Sequence, residues 1–172
     1  INGLLTLFNN SVLTQDWHPA GHSSFASSHD GSQPFSSIQM PYGAQTLWPD
    51  HCIQNSSGAE FHPDLNTSAA QAIIRKGYRR EIDSYSAFFE NDGKTKTGLQ
   101  GWLATKQINS VYLAGLATDY CVAYSALDAA GLGFDVTVLL PACREIDLDG
   151  SLSLQLDKML QAGITLLEKL PE

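Results

Sequence analysis

The chain has 172 residues, 43% of them hydrophobic, which suits one globular domain with a continuous core. A formal net charge of -8 argues against the clustered basic surface that nucleic acid or an anionic membrane would require. Cys52, Cys121 and Cys143 are too few, and odd in number, for a secreted disulfide framework. No apolar run approaches the roughly 20 residues of a bilayer span, and no signal-peptide pattern is present. These features predict reduced thiols, a cytoplasmic setting and a small-molecule partner, and they leave the oligomeric state open, a homo-oligomer included.

Ile1, Leu4, Leu5 and Phe8 recur at helical spacing with no capping residue before them, so the reading opens inside a helix. A segment upstream of Ile1 is therefore expected. Ser11–Thr14 reads as a short buried strand, and 15–22 as the loop at its C-terminal end. From Gly21 to Asp64 the chain is rich in Gly, Pro, Ser and His without periodicity, a long excursion of the kind that builds a site. Ala72–Lys76 is a strand closed by Gly77, and Thr97–Gln107 has helical character. Val111–Gly115 is an apolar strand, followed by a helix from Thr118 to Ala130 that ends before Gly131 and Gly133. Phe134–Leu140 is a strand, Ser151–Gln161 a helix and Ile164–Leu167 a last strand.

Alternation of strand and helix predicts an α/β fold: a doubly wound, mostly parallel sheet with helices on both faces, over one domain spanning 1–172. Ligands in such sheets gather at the C-terminal strand ends, which directs attention to Asp16–His22, to Lys76 onward and to Ala117–Cys121.

Asp16 and His18 are two apart in an extended segment and project to the same side, where a carboxylate and an imidazole can share a metal ion or merely cap a loop. His51 is the best third ligand. His22, His29 and His62 are read as hydrogen-bonding to loop backbone, His22 being the closest case because it lies near His18. Cys121 falls in the first turn of a helix that follows an apolar strand. Free N–H groups and the helix dipole there favour a thiolate and can receive an oxyanion, although a buried structural thiol is the commoner fate of such a residue. Cys143 fits that structural reading. Lys76 either reaches solvent at its strand end or pairs with the Cys121 sulfur in a cleft. Trp48 and Tyr85, both in loops, can sandwich a flat ring or pack the loops.

Leu13-Thr14-Gln15-Asp16-Trp17-His18-Pro19, Leu47-Trp48-Pro49-Asp50-His51-Cys52, Asp83-Ser84-Tyr85-Ser86-Ala87-Phe88 and Gly115-Leu116-Ala117-Thr118-Asp119-Tyr120-Cys121-Val122 together resemble the nicotinamidases (pyrazinamidases) of the isochorismatase-like cysteine hydrolases. The resemblance implies hydrolysis of nicotinamide to nicotinate and ammonia through a thioester on Cys121, with Lys76 as its catalytic partner. It implies a divalent metal on Asp16, His18 and His51, zinc first by ligand type with iron or manganese compatible, that binds the pyridine nitrogen. It further implies a ring pocket of Trp48 and Tyr85, an oxyanion hole of the Ala117 and Cys121 amides, and a cis Leu116–Ala117 peptide. The family's third catalytic residue, an aspartate ending a first, central strand, has no counterpart in the sequence, so that strand is expected to lie upstream. Two rivals follow: a ligand-binding paralogue without activity, and a metal-free amidohydrolase with another substrate, against which Asp16, His18 and His51 occurring together argue.

Overall fold

A computed structural model describes residues 1–171. Its regular elements are α1 (Asn2–Leu5), β1 (Val12–Asp16), β2 (Ser37–Met40), β3 (Gly43–Thr46), β4 (Ala72–Lys76), α2 (Leu99–Thr105), β5 (Ser110–Leu116), α3 (Ala123–Gly131), β6 (Asp135–Arg144), α4 (Ser151–Gln161) and β7 (Thr165–Leu167). The α/β architecture is the expected one, with all the predicted strands parallel. They divide into a β1–β4 pair and a β5–β6–β7 triplet.

The core lies where α2, α3 and α4 cover the triplet. Ala123, Ala126 and Ala129 fall on one face of α3 at i, i+3, i+6, and such small side chains bring the helix close to Val136 and Val138 of β6. Met159 of α4 and Leu99 and Leu103 of α2 close the same cluster. On β5, Val111 and Leu113 turn toward this core, so Tyr112 points to the opposite face by the period of two. There its ring meets Phe8, just beyond α1, with centroids 5.0 Å apart. Helices thus flank both faces unevenly.

Between the pair and the triplet runs a slot of about 600 Å³, lined on one side by Val12–Asp16 and on the other by Ser110–Leu116. Among the described residues neither β1 nor β5 has a strand partner on that side.

Three local differences from the sequence reading have identifiable causes. The first helix stops at Leu5 rather than running through Phe8, with the Thr6 hydroxyl donating back to the Gly3 carbonyl. β6 continues past Leu140 to Arg144, because Pro141 sits in a bulged stretch with no partner on β5 and so removes no ladder bond there. The excursion holds an antiparallel hairpin, β2–β3, whose four-residue strands are too short to show periodicity. Among the described residues no helix is long and apolar enough to cross a membrane.

Candidate active site

Parallel strands deliver Lys76, the last residue of β4, and the Cys121 turn, which follows β5, to the same end of the molecule. The Leu116–Ala117 peptide is cis. It leads into a π-helical turn, Thr118–Val122, in which the Val122 N–H donates to the Ala117 carbonyl at 3.0 Å. Single π turns of this kind recur at functional sites. Asp119 braces the turn from behind: its buried carboxylate accepts the Ile146 N–H at 3.0 Å, the Asp147 N–H at 2.8 Å and the Ser151 hydroxyl at 2.5 Å.

Lys76 takes the cleft reading. It is 3% exposed, and Nζ donates to Cys121 Sγ at 3.3 Å, to the Ser84 carbonyl at 2.7 Å and to Asp16 Oδ1 at 2.6 Å. An ammonium has three hydrogens, so this set uses all of them and fixes the group's direction. Burial alone would depress the Lys76 pKa, but Asp16 and Cys121 outweigh it and the amine is held charged, above its usual range. Burial likewise pushes against the Asp16 carboxyl, yet Lys76 carries it below the usual carboxylate value.

The Cys121 thiol does not show the depressed pKa expected from its place at a helix start. Burial pushes it up to about 11, and the attraction of Lys76 offsets only part of that. A thiol so placed waits for a proton acceptor.

A second constellation adjoins this one through Asp16 and lines a cavity of about 420 Å³, which Cys121 and Ala117 also line. Donor atoms of Asp16, His18 and His51 all lie within 4.8 Å of one another. His18 Nδ1 donates to the Gly77 carbonyl and His51 Nδ1 to the Pro49 carbonyl, each at 2.8 Å. Because a carbonyl only accepts, both rings carry their hydrogen on Nδ1 and keep the Nε2 lone pair for a metal. Burial drives the His18 pKa down to about 4, which keeps the imidazole neutral. One carboxylate with two imidazoles oriented in this way fits a divalent cation.

His22, His18 and Asp83 form another buried group of donors. There both His22 nitrogens are engaged, Nε2 by the Ile82 carbonyl at 3.2 Å and Nδ1 by the Ser24 hydroxyl at 2.7 Å. Asp83 accepts from Gln45 and from the Ser84 N–H. His29 and His62 also bond loop backbone, to the Ser23 carbonyl and the Asp64 N–H.

Trp48 and Tyr85 stand on the remaining wall, edge to face with centroids 6.2 Å apart, and Tyr120 packs 4.8 Å from Trp48. The cavity is lined by the Cys121 thiol, by the candidate metal donors Asp16, His18 and His51 and by aromatic rings, while Lys76 reaches Cys121 and Asp16 from behind its lining.

Comparison with known proteins agrees with this geometry. The isochorismatase domain model matches residues 17–169. A nicotinamidase of Acinetobacter baylyi is 53% identical over 164 residues, 95% of this chain and 77% of the relative. The chain belongs to the isochorismatase-domain family, among its nicotinamidases. A solved structure described as the nicotinamidase/pyrazinamidase of Acinetobacter baumanii superposes with a TM-score of 0.95 at 54% identity, covering 96% of this chain and 80% of that one. A pyrazinamidase of Pyrococcus horikoshii, solved in complex with zinc, is 31% identical with a TM-score of 0.74, covering 98% and 82%.

Within this nicotinamidase site, four roles escaped the sequence reading. Gly77 is one: it has φ +61°, and a Cβ there would lie 2.4 Å from His18 Cε1, so only glycine lets its carbonyl orient that ring. The glycine closing a strand was visible, but its contact 59 residues away was not. Asp16 reaches both the metal donors and Lys76, which spacing cannot show. The Ser84 carbonyl and the Asp119 carboxylate likewise act through folded contacts.

Proposed function

We propose that the chain hydrolyses nicotinamide to nicotinate and ammonia, with Cys121 as nucleophile. The observation that carries the reading is the contact of Cys121 with the buried, Asp16-paired Lys76 beside a cavity bounded by Trp48, Tyr85 and the candidate metal donors. The sulfur attacks the carboxamide carbon as its proton passes to a proton acceptor beside it. The carbon–nitrogen bond then breaks, and the nitrogen takes that proton from the acceptor to depart as ammonia. Water adds to the thioester carbon, the carbon–sulfur bond breaks, and nicotinate and the thiol are released. Lys76 holds the sulfur and favours its negative charge, while the Ala117 and Cys121 amides receive the developing oxyanion.

Asp16, His18 and His51 would hold a divalent metal, for which we assign zinc by donor type. Bound there, it supplies a Lewis-acidic anchor for the pyridine nitrogen. Trp48 and Tyr85 orient the ring so that the carboxamide reaches Cys121. The slot between β1 and β5 ends against Asp16, Lys76 and Cys121 and gives a proton acceptor access to the thiol. The free state of Cys52, Cys121 and Cys143 supports a reducing, cytoplasmic setting.

Ammonia release from nicotinamide tests the reading. Cys121→Ala is expected to lower kcat by about four orders of magnitude or more. Full turnover by that variant would refute the nucleophile, and nicotinamide binding by the parent protein without turnover would favour the inactive paralogue.

A further inference from the structure

Behind the aromatic wall lies a buried amide that does not touch the cavity. Gln45, on β3, is wholly buried. Its Nε2 lies 2.8 Å from the Thr46 carbonyl, 2.9 Å from Asp83 Oδ2 and 3.0 Å from the Tyr85 hydroxyl oxygen. The carbonyl and the carboxylate accept only, so they fix which end of the amide carries hydrogens. The Tyr85 oxygen also receives the Trp48 Nε1–H at 3.2 Å. The two rings of the wall are therefore tied to one oxygen, and that oxygen shares one of the two Gln45 amide hydrogens in a three-centre bond, since Nε2 faces three oxygens.

Asn91 completes the arrangement. Its Oδ1 accepts the Tyr85 backbone N–H at 3.0 Å, which fixes its own orientation, and its Nδ2 donates to Gln45 Oε1 at 3.0 Å. Tyr85 is thus held at both ends, its backbone by Asn91 and its hydroxyl by Gln45, and the two amides are held to each other. A polar network centred on a buried amide is retained only when its members satisfy one another, and its loss frees the groups that it orients.

We infer that Gln45, supported by Asn91, is a positioning residue that sets the orientation of the Trp48–Tyr85 wall and hence the affinity for a flat heteroaromatic ring. The inference rests on the reading of Trp48 and Tyr85 as the walls of the ring pocket. Its effect falls on KM and leaves the chemical step alone, because the sulfur and ammonium are fixed by other contacts.

The test compares Gln45→Met, Tyr85→Phe and the double variant, each assayed for nicotinamide turnover and melting temperature. Nicotinamide binding is measured by titration calorimetry in a Cys121→Ala background. Gln45→Met is expected to raise KM and the dissociation constant about tenfold with kcat within about twofold. The double variant is expected to be little worse than the more impaired single one, the non-additivity of residues acting through one contact. A lowered melting temperature with KM unchanged would make Gln45 merely structural and overturn the inference. So would additive effects, or a fall in kcat at constant KM. Trp48→Ala serves as the discriminating control: if it raises KM while Gln45→Met does not, the pocket stands and the positioning role falls. If the parent protein does not turn over nicotinamide, the functional reading fails and the inference falls with it.

Discussion

The two ends of the cavity are built by different means. At the nucleophile end, regular structure does the placing: β4 delivers Lys76, β5 and the π turn deliver Cys121, and the lysine's three hydrogens all have partners. At the metal end, His18 and His51 sit in irregular chain, and main-chain carbonyls aim both rings. Strands fix where a backbone goes through their ladder of hydrogen bonds, whereas a loop needs a bond to each ring to do the same. Asp16 belongs to both ends, as the last residue of β1 bonded to Lys76 and as a proposed metal donor. The difference teaches that the ends should fail differently, the first in the rate of bond making and the second in holding the ring.

The sharpest way to break that comparison is Lys76→Met. It removes the charge beside Cys121 and leaves Asp16 without its buried partner, so kcat is expected to fall by about two to three orders of magnitude. Steady-state ammonia release checks this, and metal analysis of the same sample should show the ion retained. A rise in KM with kcat intact would mean that the ends are not separable.

A smaller effect is expected from Gly77→Ala at the other end. The new Cβ collides with His18, the ring loses its bond to the Gly77 carbonyl, and metal affinity should drop by roughly 10- to 100-fold. Dialysis against a chelator followed by metal analysis reads this directly. KM should rise while kcat at saturating metal stays near that of the parent. Unchanged metal retention would show that the Gly77 carbonyl does not orient His18 for binding.

The same contrast governs what could be read from the sequence. β4 and α4 were legible to the residue, because apolar runs and caps signal regular elements wherever they pack. Lys76 at a strand end and Cys121 after an apolar strand were legible as candidates for the same reason. Asp16 and His18 stood out by local spacing. What stayed hidden is contact between distant loops: Gly77 against His18, Ser84 behind Lys76, Gln45 and Asn91 behind Tyr85. No periodicity marks a glycine whose carbonyl orients a ring, or a glutamine whose hydrogens serve an acceptor 40 residues away. The thiol's raised pKa was hidden too, since the dipole of a helix start can be inferred from sequence and the extent of burial cannot.

The mildest test separates the ends by pH and needs no substrate. Burial keeps His18 neutral in the folded chain down to about pH 4, whereas an unfolded chain takes up that proton near 6.5. Protons therefore favour the unfolded state between those values: stability is unaffected above about pH 7 and falls as pH drops from 6.5 toward 4. That gap, at about 1.4 kcal/mol for each pH unit, corresponds to about 3 kcal/mol for this single 2%-exposed side chain. His22, lowered chiefly by burial as well, acts in the same direction, so the His18 share is read as a difference. Denaturant titrations of metal-free protein across pH 8 to 4 should show the decline, and His18→Gln should flatten part of it. At the nucleophile end the ammonium of Lys76 stays charged throughout this range and contributes no slope. A His18→Gln profile parallel to that of the parent would show that His18 is not held neutral, and with it would fall the account of why this buried imidazole stands ready for an ion.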